Sequence, residues 1–130
     1  MQLVRTNAIL PFAALADADL TGLEGYFVKA DAASGRVALV TAANNNPFGV
    51  ILNGVEAPEK NSIALTVGLA GTVRVKLGGN VSFGATLKLR ADARVDAATG
   101  AAGEMLVGFA LESGTADDLV EAALATPILL

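Results

Sequence analysis

Asp117, Asp118 and Glu121 are the one group of carboxylates in this chain spaced closely enough to gather around a hard cation. A calcium loop needs oxygen ligands at alternating positions and a glycine at the sixth, a pattern this segment does not match. A solvated chain end explains the three acids better, and the pair Asp17 and Asp19 is weaker still. The chain has no histidine, which removes the commonest general base, the commonest metal ligand and every histidine-based triad together. It also has no cysteine, and so no thiol nucleophile, thiolate metal site or disulfide framework. No catalytic, cofactor-binding or metal-binding residue is assigned, no cofactor is expected, and the chain reads as a non-enzyme.

Three further features could carry chemistry. The glycine pairs in Gly49-Val50-Ile51-Leu52-Asn53-Gly54 and Gly68-Leu69-Ala70-Gly71 lack the spacing and the lysine of a phosphate-cradling loop. In strands such glycines mark bulges or a close backbone approach. Lys88 sits inside an alternating strand pattern, not at a hairpin tip between hydrophobic flanks where a biotinyl or lipoyl attachment lysine would sit. Lys88, Arg90 and Arg94 are the closest approach to a basic cluster, and Asp92 and Asp96 offset them. With a net charge of −4 and scattered single cations, the counterion release that drives nucleic-acid binding has no source, so no nucleic-acid partner is expected.

The elements that would hold any site are read from periodicity. Val73, Val75 and Leu77 alternate with Arg74 and Lys76, and Leu65, Val67 and Leu69 alternate before them. This predicts a pair of strands with one wet face, with Ala70-Gly71 between them. Gly49 to Leu52 and Met105 to Leu111 are continuous apolar runs, as buried strands would be, and Asn53-Gly54 ends the first with a hairpin-type signal. Ala97 to Gly103 is too rich in glycine and alanine to pack firmly. At the end, Thr115-Ala116-Asp117-Asp118 has the look of a helix N-cap, and Glu121 to Ala125 are good helix formers. A strand over Leu119 to Thr126 would instead complete the sheet, and the repeat described next favours the strand.

The chain says nearly the same thing twice. Gly25-Tyr26-Phe27-Val28-Lys29 leads to Phe48-Gly49-Val50-Ile51-Leu52, and Gly84-Ala85-Thr86-Leu87-Lys88 leads to Val107-Gly108-Phe109-Ala110-Leu111. An offset of 59 residues relates Gly25 to Gly84, Gly49 to Gly108, and Lys29 to Lys88. The expected fold is therefore mainly β, a compact β-sandwich or small β-barrel built from two similar units, about 25–54 and 84–113. Residues 1–22 read as an extended N-terminal arm, broken by Pro11, and 23–130 as a single β domain of ordinary size.

Hydrophobic residues make up 53% of the chain, but much of that is alanine, with five Phe, one Tyr and no Trp. Such a core buries little area per residue, so the chain gains from covering further surface in an oligomer or on a partner. The longest charge-free stretch, Val37 to Val55, is broken by Asn44-Asn45-Asn46-Pro47 and cannot form the run of about 20 apolar residues that spans a membrane. The first residues lack the basic start and apolar core of a signal peptide, so a soluble protein with no membrane partner is expected.

In order and spacing, the segments quoted above, with Asp31 to Val37, Val67 to Val73 and Leu106 to Glu112, resemble the small capsid decoration proteins of tailed bacteriophages. These cement or head-stabilising proteins are β-rich, and the resemblance covers roughly residues 22–125. It implies a structural virion protein on the outer surface of an icosahedral capsid, made in the host bacterial cytoplasm. It would stabilise contacts between major capsid subunits, with the major capsid protein as partner and a homotrimer as its own assembly. Exposure logic nominates Leu3, Ile9, Leu10, Phe12, Ile128 and Leu129 as capsid or subunit contacts. A phage tail or baseplate β-module is the alternative within the virion. A domain binding a small ligand or carbohydrate is the alternative outside it, though sugar stacking has only one tyrosine to use.

Overall fold

The computed structural model describes residues 9–15, 20, 22–54 and 64–130, with 9–15, 53–54 and 64–70 described through their backbone. The strands are β1 (Ile9–Leu15), β2 (Phe27–Asp31), β3 (Arg36–Leu39), β4 (Gly49–Gly54), β5 (Ala64–Lys76), β6 (Thr86–Leu89), β7 (Val95–Ala97), β8 (Met105–Ala110) and β9 (Leu119–Leu129). No described residue is helical. Neighbouring strands pair antiparallel in the order β3-β2-β4-β5-β9-β8-β6-β7, with β1 added on β5. The all-β fold expected from the sequence is what forms. A single parallel bridge, Leu77 to Val95, touches the far end of this path, but the sheet folds over itself without closing into a barrel, an arrangement compatible with a sandwich.

Both halves fill one core. Phe27 and Val50 from the first unit meet Leu87, Leu89 and Val107 from the second, around Val73, Val75 and Leu77 of β5 and Val120 and Ala122 of β9. The predicted alternation holds along β5: these three side chains are buried while Arg74 faces water. A smaller cluster of Leu20, Val28, Val37 and Ile51 covers the other face of β2 and β4. Burial on two faces explains why Gly49 to Leu52 is continuously apolar where β5 alternates.

The 59-residue echo is kept in three dimensions. Phe27 faces Val50 and Val28 faces Gly49, while Thr86 faces Phe109 and Leu87 faces Gly108, the same register displaced by the repeat. The hairpins differ by one residue, since Val28 faces Leu39 but Leu87 faces Ala97.

A turn that the repeat only half reveals recurs four times, once before each of β2, β6, β8 and β9. In the first, Tyr26 N–H donates to Leu23 C=O, Gly25 N–H to Ile51 C=O, and Ile51 N–H to Tyr26 C=O, at 3.1, 2.8 and 3.0 Å. Ser82 to Ala85 repeats these bonds with Ala110, Ala101 to Glu104 with Leu130, and Thr115 to Asp118 with Leu77. The third residue has a positive φ each time: 84° at Gly25, 85° at Gly84, 92° at Gly103 and 69° at Asp117. That left-handed backbone suits glycine, and aspartate is among the few other residues that visit it readily.

Several expectations are corrected. The residues read as a strand pair around Ala70-Gly71 form one strand of 13 residues, β5. Gly71, with φ 93°, bends the strand without reversing it, at the point where β5 exchanges β1 for β9 as its neighbour. Asn53-Gly54 is not a tight turn but the end of β4, paired with Thr66 and Leu65 beyond a bulge. At the chain end the strand favoured by the repeat forms instead of the helix that local propensity offered, because the capping chemistry serves the fourth turn. Asp118 Oδ2 accepts from Thr115 N–H at 2.8 Å and from its hydroxyl at 3.1 Å, the bonds of a helix cap used to start β9. Within the segment read as an arm, β1 lies extended along β5 of the same chain.

Candidate contact surface

The three acids that could have gathered a cation are dispersed to separate partners. Asp117 accepts from Arg94 at 2.7 Å, Asp118 binds Thr115, and Glu121 stands opposite Arg74 in the β5–β9 ladder. Among the described residues no cluster of acids could hold a metal ion, and no buried side-chain polar atom lacks a partner. Among them, too, no helix is long and apolar enough to cross a membrane.

The basic group is neutralised in the β6–β7 hairpin. Arg90 pairs with Asp92 at 3.2 Å and with Asp96 at 3.0 Å, and Arg94 pairs with Asp92 at 2.6 Å and with Asp117. Partial burial pushes the Asp92 carboxyl up, but hydrogen bonds from Arg94 and Arg90 outweigh this and hold its pKa at about 2. The charges that might have met a phosphate are committed to one another.

The glycine- and alanine-rich loop after β7 is better ordered than its composition suggested. One Glu104 carboxylate collects the N–H groups of Thr99, Gly100 and Ala101 and the Thr99 hydroxyl, and pairs with Lys88 at 3.0 Å. Desolvation pushes Glu104 up, yet the bonds from Lys88 and Thr99 prevail and lower its pKa from 4.5 to about 2. A carboxyl whose folded pKa is depressed contributes stability in full above its unfolded value, and loses it as pH falls from 4.5 towards 2. We expect Glu104→Gln to melt below the parent at neutral pH and to show a flatter fall in Tm on acidification. Parallel Tm–pH curves for the two proteins would refute this.

The surface also exposes large apolar side chains. Among the described residues Phe83 is 71% exposed, Ile128 56%, Leu129 55% and Phe109 46%. The ladder explains much of this. Leu106 lies between buried Met105 and Val107 and so points outward, and Ile128 faces it across the β8–β9 pair. Phe109 stands between Thr86 and Ala123 on the same outer face, not in a buried run as its sequence context implied. Separately, a cavity of about 330 Å³ opens beside the first turn, lined by Gly25, Ile51, Leu52, Thr72, Val73 and Leu119, with Glu24, Arg74 and Glu121 supplying charge.

Of the nominated contacts, Ile128 and Leu129 are exposed near the end of β9. Ile9, Leu10 and Phe12 lie on β1, where Phe12 is in register with Val67 of β5. Leu3 lies outside the described residues. The candidates missed from sequence are Phe83 and Phe109. Phe83 could have been found from the repeat, since it stands where the first unit has Glu24.

The fold thus defines an all-β domain of the sandwich class with an apolar outer face on β8 and β9. Among solved structures, the chain is similar to the head fiber gp8.5 N base of bacteriophage phi29, with a TM-score of 0.62 at 17% identity over 95% of this chain and 99% of that one. Neither a family model nor a curated protein sequence matches it.

Proposed function

We propose that this chain is a structural protein of a tailed-phage particle, not an enzyme, which binds the outer surface of the icosahedral head. There it stabilises contacts between major capsid subunits as a homotrimer. The observation that carries the reading is the fold shared along nearly the whole chain with the base of a phage head fiber. The apolar outer face of β8 and β9 supports it, because a protein that works by contact needs such a face and no cleft. If it binds one form of the shell and not another, it stabilises that form by mass action. The test is to add purified protein to heads that lack it, before and after expansion. Saturable binding in a fixed ratio, with raised resistance of the heads to heat, is expected. Absence of binding to either form would overturn the proposal.

A further inference from the structure

The second residue of each strand-entry turn is exposed: Glu24, Phe83, Ala102 and Ala116. Exposure at that position is a property of the turn, whatever residue occupies it. Three turns place a charge or a methyl group there and one places a phenyl ring, 71% exposed, which adds little to the chain's own core. Its backbone is held rigidly, with Phe83 N–H on the Ser113 hydroxyl at 2.9 Å and Gly84 N–H on Ala110 C=O at 2.8 Å. An exposed aromatic on a braced backbone is the residue type that anchors protein contacts, because its two side-chain torsions lose little entropy when it is covered.

A receptor of matching chemistry exists on the same chain. The cavity of about 330 Å³ beside Gly25 is floored by aliphatic groups, Ile51, Leu52, Val73 and Leu119, and is larger than a phenyl ring. The exposed Arg74 that lines it can lie over a ring face, where a guanidinium is attracted by the ring's quadrupole. The segment that presents Phe83 carries no charged residue between Lys76 and Lys88. In a chain of net charge −4, this tip brings no charge of its own to a contact, and Arg74 stands among the charges, with Glu24 and Glu121, at the cavity that would receive it.

We infer that Phe83 of one copy seats in the Gly25–Leu119 cavity of a second copy. Knob and cavity are different surfaces, so the contact is heterologous: each copy gives one and receives one, and the chain of contacts closes into a ring where the rotation permits. The inference deepens the homotrimer of the proposed function and rests on that reading for the number of copies alone.

Sedimentation of the free protein over a concentration series tests it. The parent should self-associate, and Phe83→Ser should weaken association about 30-fold, as for loss of an anchor residue, with an unchanged Tm. Thr72→Trp, which fills the cavity, should do the same. A mixture of the two variants should give a 1:1 dimer that grows no further, since only one intact knob and one intact cavity can meet. A monomeric parent, or a Phe83→Ser protein that associates like the parent, overturns the inference; so does a Phe83→Ser protein that still associates but no longer binds heads, since its partner would then be the shell. Association through Phe83 without head binding would leave the inference standing and sink the proposed function instead.

Discussion

Gly25→Ala should lower the Tm by about 12 °C or more and Gly84→Ala by only about 4 °C, although the two glycines are equivalent positions of one turn. Their backbones are nearly identical, with φ of 84° and 85°, so each alanine meets the same left-handed strain of about 1 kcal/mol. Their surroundings differ. A Cβ on Gly84 would meet nothing within 4 Å, whereas on Gly25 it would lie 2.5 Å from Leu119 Cδ2 and 2.8 Å from the backbone nitrogen of Lys76. Leucine can rotate away, but the Lys76 nitrogen donates to Gly25 C=O at 2.9 Å, and moving it would open β5. Overpacking of this kind adds roughly 1–3 kcal/mol to the strain. Thermal melts of both variants decide the matter. Equal losses would mean that the first turn is not seated against β5 and β9.

Gly108→Ala should cost more still, roughly 4 kcal/mol, a large share of the 5–15 kcal/mol that holds a domain of this kind together. A Cβ at Gly108 would be driven onto the carbonyl oxygen of Ala123, with Leu124 Cα only 3.2 Å from it. Every obstructing atom is backbone, so no rotamer change relieves the clash. Gly108 sits at the bulge where the β8–β9 register jumps, and also where β6–β8 shifts between Leu87 and Lys88. Displacing β9 there would uncover Val107, Val120 and Ala122, which are buried in the main core. Urea denaturation should show a much lower midpoint with an unchanged slope. An unchanged midpoint would place β9 in a different register from the one described.

Part of this architecture was legible before any coordinates. Period-two alternation over Val73 to Leu77 marked β5 because a sheet with one wet face must alternate. The echo of Gly25 and Gly49 in Gly84 and Gly108 marked a paired unit because the same backbone problem recurs at the same spacing. The errors share a cause. Ala70-Gly71 and Asn53-Gly54 carry real local signals, each for the chain reversal that such a signal most often starts. Thr115 to Asp118 carries a helix-cap signal that the repeat outweighs in favour of the strand. A glycine can bend a strand as well as reverse it, and an Asp–Thr pair can cap a turn as well as a helix. Neighbours decide between these outcomes, and beyond Gly71 β9 takes over as the partner of β5.

The contact surface divides in the same way. Ile128 and Leu129 were visible as an uncovered apolar end. Phe83 was reachable only through the repeat, as the twin of Glu24, and Phe109 was not, since strand periodicity cannot say which face of a folded-over sheet remains open. By itself, the sequence determined the β class, the repeated unit and the lack of histidine and cysteine chemistry, because these follow from residue type and period. Only the tertiary structure decided that one glycine of the repeat is enclosed and its twin is open, and that the Phe83 ring stands largely in water. Those outcomes depend on which strands lie against each turn, and that is set by packing between residues far apart in the chain.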